Sequence, residues 1–217
     1  MSGSAVQRAR SVHHIVSGAE GDPFHSPSFN LKQRLKRLVW QTVYWLFYRM
    51  SPRPLHVWRA WLLRVFGAKM GPGCHFYPGG RVWAPWNLVC EDCCTLADGA
   101  EIYNPSPIYI ESHCIVSQQA YICGATHDYN HPDFPMISYS MCLGAYSWIC
   151  ARAAVAPGVR VGEGAILGLG SVASNDLEPW TVYSGIPALK VKVREKVFSR
   201  KSGPNKRGGN SMPWKES

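Results

Sequence analysis

Between Leu143 and Leu177 the chain repeats itself every six residues. Written in blocks, LGAYSW ICARAA VAPGVR VGEGAI LGLGSV ASNDL, the first position reads Leu143, Ile149, Val155, Val161, Leu167, Ala173. The second position is small throughout: Gly144, Cys150, Ala156, Gly162, Gly168, Ser174. The fifth is mostly small, running Ser147, Ala153, Val159, Ala165, Ser171, Leu177. One large aliphatic per six residues fits neither the two-residue alternation of a half-buried strand nor the 3.6-residue recurrence of a helix. Six residues of extended chain span roughly 20 Å at most. One inward aliphatic per flat side, with small residues at the bends, predicts a triangular coil in which three blocks close a turn. Turns then stack about 4.8 Å apart and bury the aliphatic columns along the axis.

The same phase extends upstream. Met70, Phe76 and Val82 are six apart, as are Cys90, Leu96 and Ile102. A two-residue offset at Asn104-Pro105-Ser106-Pro107 moves the phase to Ile110, Val116 and Ile122. From Gly124 to Cys142 the register is lost in a stretch with Pro, Asp, Asn and His, and Leu143 resumes it. A long excursion from a tight repeat is usually functional.

The flanks differ in kind. Residues 1–28 are polar with Gly, Ser and Pro and no apolar period, so disorder is expected. His13 and His14 within them are a weak metal candidate. Residues 29–67 read as an amphipathic helical cap: Leu31, Leu35, Leu38, Val39, Thr42, Trp45 and Leu46 recur at three and four, and Pro52 and Pro54 stop the first helix. A second, LHVWRAWLLRVFG, ends at Gly67. Two readings of these helices stay open and are compatible. They close the first turn of the coil, which would otherwise expose an edge, or their Arg/Lys and Trp/Tyr/Phe lie on a membrane surface. The apolar run from Leu38 to Tyr48 is too short to cross a bilayer. The coil proper is expected over 68–189, closed by Pro179 and Pro187 and followed by a short strand or helix folded back. The Gly-rich basic residues that end the chain, within 190–217, are expected to form a flexible tail.

At 217 residues and 46% apolar composition the chain can bury one sizeable core. A net charge of +9 suits an anionic ligand or an anionic membrane face. The repeat offers no recognition element for nucleic acid. Eight cysteines and no secretory signal point to a reducing, cytoplasmic compartment, including the inner face of the membrane. Cys90, Cys93 and Cys94 lack a second Cys or His pair at zinc-finger spacing, so they are read as packing residues and no metal site is expected.

The repeat resembles the hexapeptide-repeat acyltransferases, whose fold is an all-β, left-handed parallel β-helix. The hand is implied by that resemblance alone, since physical preference is for right-handed crossovers. The stretches FNLKQRLKRLVW, PRPLHVWRAWLLRVFGAKMG, WAPWNL, VSQQAYICGATHDY, WICARAAVAPGV and PWTVYSGIPA narrow it. Together they look like the colanic-acid-type sugar O-acetyltransferases, akin to galactoside and maltose acetyltransferases, over about residues 29–194. The resemblance implies acetyl-CoA as donor, a sugar or glycan acceptor, and a homotrimer with the site shared between subunits.

On the residues themselves, His127 in Thr126-His127-Asp128 stands at the root of the excursion. A neutral imidazole there can take a proton from an attacking hydroxyl; the bland alternative is a loop histidine bonded to backbone. By resemblance His127 is the catalytic base. The positions matching the family's CoA-lining residues are Trp148, Ala151, Leu169 and Ser174, with Lys190 and Lys192 near the phosphates. Asn104, Gln118 and Asp128 fall near the acceptor. Ala151 and Leu169 are equally compatible with corner packing, as are Asn104 and Gln118. Two departures bear on CoA contacts: Gly185-Ile186-Pro187 stands where the family commonly has Gly-Asn-Pro, and Leu169 where a small residue is usual. Two other functions use the same coil. A metal-dependent hydratase like the γ-type carbonic anhydrases would need His113, His127 and His131 to converge, and a non-catalytic scaffold would have no use for His127.

Overall fold

A computed structural model describes residues 12–15 and 29–196. Three columns of short parallel strands form a β-solenoid of six turns. The first face carries Lys69–Met70, Leu88–Cys90, Ile108–Ile110 and Met141–Leu143, continued by single bridges at Val161 and Leu177. His75–Phe76, Thr95–Leu96, Ile115–Val116, Trp148–Ile149, Ile166–Leu167 and Thr181–Ser184 form the second. The third comprises Arg81–Val82, Glu101–Tyr103, Tyr121–Cys123, Ala154–Val155 and Val172–Ala173.

The predicted columns are the core. Phe76, Leu96, Val116, Ile149 and Leu167 stack down the second face and are at most 1% exposed. Each fully buried Leu or Ile contributes about 1.5–3 kcal/mol. The six-residue count is lengthened by two between Val82 and Cys90 and between Ile102 and Ile110, and it is shortened once. Leu177, expected at a bend, bridges Val161 and is buried in the first column. The last turn is therefore shortened.

The bends follow one backbone rule. At the first edge, between the first and second faces, Gly73, Cys93, His113, Tyr146, Gly164 and Trp180 stand one above another with φ from +53° to +69°. From the second turn on, each of their backbone N–H groups donates to a carbonyl of the turn before, as Tyr146 does to Ser112 and Trp180 to Glu163. His113 and Tyr146 also stack, with centroids 4.8 Å apart. Beside them the buried thiols of Cys74, Cys94 and Cys114 donate to or sit among carbonyls of the bends. That accounts for the Cys-rich 90–94 stretch: Cys90 is in the first column, Cys94 at the bend, and Cys93 exposed at a positive φ. All eight cysteines are free thiols.

Helices α1 (Leu31–Val43) and α2 (His56–Val65), joined through a π-turn at Tyr44–Tyr48, close the first turn. The Asn30 side chain caps α1 by accepting from the Gln33 N–H at 2.9 Å. The Trp40 indole N–H donates to the Val82 carbonyl at 2.8 Å, and Leu63 is fully buried against the coil. Arg59, wholly buried, donates to the carbonyls of Phe76, Pro52 and Arg53 and to Ser51 Oγ. Capping is thus what the inner helical face does.

Three boundaries differ from expectation. The excursion ends at residue 140, because Met141–Leu143 already pairs in parallel with Ile108–Ile110. Leu189–Val193, placed partly in the tail, is a strand antiparallel to Thr181–Ser184. Within the segment expected to be disordered, the backbone of Val12–Ile15 pairs antiparallel with Met136–Tyr139. The remaining residues of 1–28 and the end of the tail lie outside the described residues.

Candidate active site

The excursion is a β-hairpin that leaves the third edge, between the third and first faces. Ala125–His127 runs out and Met136–Tyr139 runs back, with His127 opposite Met136. Gly124 makes the departure possible: a Cβ there would stand 2.5 Å from the Tyr103 carbonyl oxygen, which accepts the Gly124 N–H. The hairpin is pinned to the coil by a buried 2.6 Å hydrogen bond between Ser138 Oγ and Ser106 Oγ.

His127 is half-buried at the end of the outgoing strand. Its Nδ1 lies 3.0 Å from the Phe134 carbonyl oxygen, and its ring stacks on the Phe134 ring with centroids 4.6 Å apart and planes 11° off parallel. A carbonyl oxygen only accepts, so in the neutral ring Nδ1 carries the proton and Nε2 keeps its lone pair. This is the tautomer a general base requires. Sequence reasoning missed Phe134, since nothing in the spacing of an irregular stretch marks which residue folds back beneath the imidazole.

The other candidates divide between two sides of the prism. Gln118, Ala151 and Leu169 stack at the second edge, where Arg152 N–H donates to the Gln118 carbonyl and Gly170 N–H to that of Ala151. Trp148 lies on the adjoining second face, 43% exposed, its indole N–H donating to Ser117 Oγ at 2.8 Å. Leu169 is 72% exposed, so its size narrows no space within one chain. Gln118 lines a surface cavity of about 340 Å³ with Arg53, Asp98 and Ser117. Lys190 and Lys192 project from the strand that extends the second face. Lys190 Nζ is 2.6 Å from Glu178 Oε2, and this bond raises its pKa. Both groups are exposed, so an incoming phosphate can exchange for the carboxylate.

His127, Asp128, Asn104 and Ser174 belong to the third edge instead, and one chain does not bring them to the Trp148 side. Two of them have local duties. Asn104 is fully buried; its Oδ1 accepts from Ala84 N–H at 2.9 Å and its Nδ2 donates to Ala84 O at 2.8 Å. That amide joins two turns and, fully buried, is out of reach of a sugar, so of its two readings the structural one at the coil corner holds. Asp128 Oδ1 accepts from the Asn130 N–H at 3.1 Å and shapes the hairpin tip. Ser174 is exposed. The three histidines of the metal reading are far apart in role: His113 stacks on Tyr146, while His131 Nδ1 accepts from the Asp133 N–H. Among the described residues no three His, Cys, Asp or Glu side chains are grouped so as to hold a metal ion.

No protein-family profile matches the chain. It is 33% identical over 160 residues to a protein of Escherichia coli K12 assigned as a colanic acid biosynthesis acetyltransferase, covering 74% of this chain and 88% of that one. The chain belongs to the hexapeptide-repeat acetyltransferases. Two solved members share the fold of this acetyltransferase. One is a hexapeptide-repeat acetyltransferase of Vibrio cholerae, complexed with acetyl-CoA, at TM-score 0.68 and 19% identity over 79% of this chain and 94% of that one. The other is a galactoside acetyltransferase in complex with coenzyme A, at TM-score 0.67 and 18% identity over 82% of this chain and 91% of that one.

Proposed function

We propose that this acetyltransferase moves an acetyl group from acetyl-CoA to a hydroxyl of a sugar or glycan, with His127 as general base. The observation that carries the reading is the Nδ1 bond to Phe134, which puts the lone pair of the neutral His127 ring on Nε2. The donor supplies an activated acyl group as its thioester. Nε2 takes the proton from the acceptor hydroxyl as that oxygen attacks, and the imidazolium then holds a proton for the departing sulfur. Such assistance is worth about 10²–10⁴-fold. The likeness to a colanic acid biosynthesis acetyltransferase and to galactoside acetyltransferase supports a sugar acceptor.

The donor-side candidates lie on the second face and edge and the base on the third. In a homotrimer the third edge of one copy meets the second face of the next, and Ser174 joins Trp148, Ala151 and Leu169 along one crevice. Small side chains at the bends suit an extended pantetheine arm, and the Lys190 and Lys192 charges suit its phosphates.

The outer helical face supports a place at a membrane surface. Leu31, Leu46, Met50 and Val57 are each more than 60% exposed. From residue 23 to 90 there are ten Lys and Arg and no Asp or Glu. An apolar surface with such an excess of cations around it fits the interface of an anionic bilayer. No described helix is long and apolar enough to cross one.

The test is free-thiol release from acetyl-CoA in the presence of a sugar panel. His127→Ala should cut turnover at least about a hundredfold with donor binding, read by calorimetry, unchanged; undiminished turnover overturns the role of the histidine. Co-sedimentation with phosphatidylglycerol vesicles, and its absence with phosphatidylcholine alone, tests the membrane placement.

A further inference from the structure

Where α1 lies against the third edge, the two leave a cleft of about 330 Å³ between them. Its lining includes Phe29, Lys36, Arg37, Trp83, Trp86 and Asn87. The guanidinium carbon of Arg37 sits 4.0 Å over the Trp83 ring and 5.9 Å from that of Phe29. Lys36 Nζ sits 4.1 Å over the Trp86 ring. Arg37 Nε is shut off from solvent and, among the described residues, has no hydrogen-bond partner. Among the described residues neither cation is paired with a carboxylate. Asn87 has committed its amide nitrogen to the carbonyls of Asn104 and Pro105.

This set of groups has a definite chemistry. Indole faces stack against the C–H face of a pyranose, and Asn87 keeps an amide oxygen for a hydroxyl. A guanidinium over an indole ring keeps N–H donors for a planar or tetrahedral anion. A buried donor without a partner calls for one. The cleft also sits close to the chemistry. Trp83 meets Tyr103 edge-to-face with centroids 5.3 Å apart, Tyr103 Oη is 3.6 Å from Met136 Sδ, and Met136 is opposite His127. A ligand there is linked to the imidazole through Trp83, Tyr103 and Met136, so it lies to the side of the reacting hydroxyl and not on it.

We propose that this cleft is a binding subsite for an acidic sugar, a pyranose bearing a phosphate or a carboxylate, which neighbours the acetylated residue in the acceptor. The proposal rests on the glycan reading only in calling the bound sugar part of the acceptor. Arg37 reads the anion, Trp83 and Trp86 read the ring, and Lys36 adds charge.

The test is direct binding to the full-length protein, by calorimetry and tryptophan fluorescence, with glucose, glucose 1-phosphate, glucuronate and inorganic phosphate as probes. At least one acidic sugar should bind about tenfold or more tighter than glucose, the margin of a charge-assisted hydrogen bond. Which of the two does so identifies the anion. Arg37→Gln should erase the margin at unchanged melting temperature, Arg37→Lys should keep part of it, and Trp83→Leu should weaken every sugar. Equal binding of glucose and both acidic sugars, or a margin that survives Arg37→Gln, overturns the proposal. Inorganic phosphate binding as tightly as glucose 1-phosphate also overturns it, since the site would then read charge alone. No acetyl donor is present, so a protein that binds acidic sugars without acetylating any would overturn the proposed reaction and leave the subsite standing.

Discussion

The imidazole of His127 lies flat on the ring of Phe134 while its Nδ1 donates to the carbonyl of that same residue. One residue thus holds the imidazole twice, by a ring below it and an oxygen beside it. The two can be separated, because a side-chain change leaves the carbonyl in place. Phe134→Ala should keep the tautomer but free the ring to tilt. We expect kcat to fall about 10- to 100-fold, with KM for acetyl-CoA nearly unchanged. Phe134→Tyr, which keeps the stack, should restore it. Steady-state kinetics on the three proteins decides whether the stack positions the base.

Arg59 ties the helical cap to the coil. Arg59→Met would take the donor from the Arg53 carbonyl and one of two partners from those of Phe76 and Pro52, which keep His56 Nδ1 and the Leu55 N–H. A hydrogen bond to a charged group contributes about 1.5–3 kcal/mol, so the loss in denaturant unfolding should be at least that. Arg59→Lys should recover little, because one ammonium cannot span the fork.

Arg152 occupies the second edge at φ +58°, one turn below Gly170 and above Gln119. A side chain in this left-handed region costs about 1–2 kcal/mol. Against it stand the exposed 2.9 Å bond from Arg152 Nε to Gln119 Oε1 and the entropy a glycine loses on folding. Arg152→Gly should still stabilise, by no more than about 1 kcal/mol net. A lower denaturation midpoint would refute this reading of the bends.

Burial pushes the Cys114 thiol up to about 12. The unfolded chain releases that proton near the ordinary thiol value of about 8.5. Between these limits the native state holds more protons than the unfolded one, so stability is full below about 8.5 and falls as pH rises. Melting temperatures measured from pH 8 to 11 should decline. The decline should be shallower in Cys114→Ala, although that variant starts lower because it removes the partner of Ser147 Oγ.

Much of the prism was legible because its rule is local. An inward aliphatic every six residues, with small residues at the bends, is imposed by one strand and one corner at a time. The columns from Met70 to Ala173 could therefore be counted along the chain before any turn was stacked. His127 was legible for the opposite reason, as a histidine where the count breaks. Leu177 was misplaced because a shortened turn is invisible to a fixed period. Asn104 stayed open between a sugar contact and a corner residue because its partner, Ala84, lies a whole turn away.

By itself, then, the order of residues determined the six-residue period, the columns it buries, the site of the interruption and a helical cap rich in cations. Tertiary structure alone decided that Phe134 folds under His127, that Arg37 lies on Trp83, and that the donor-side and base-side candidates stand on different edges. The reason is physical: a repeat expresses backbone geometry within a few residues, whereas these contacts depend on side chains meeting across separate turns, which no local pattern records.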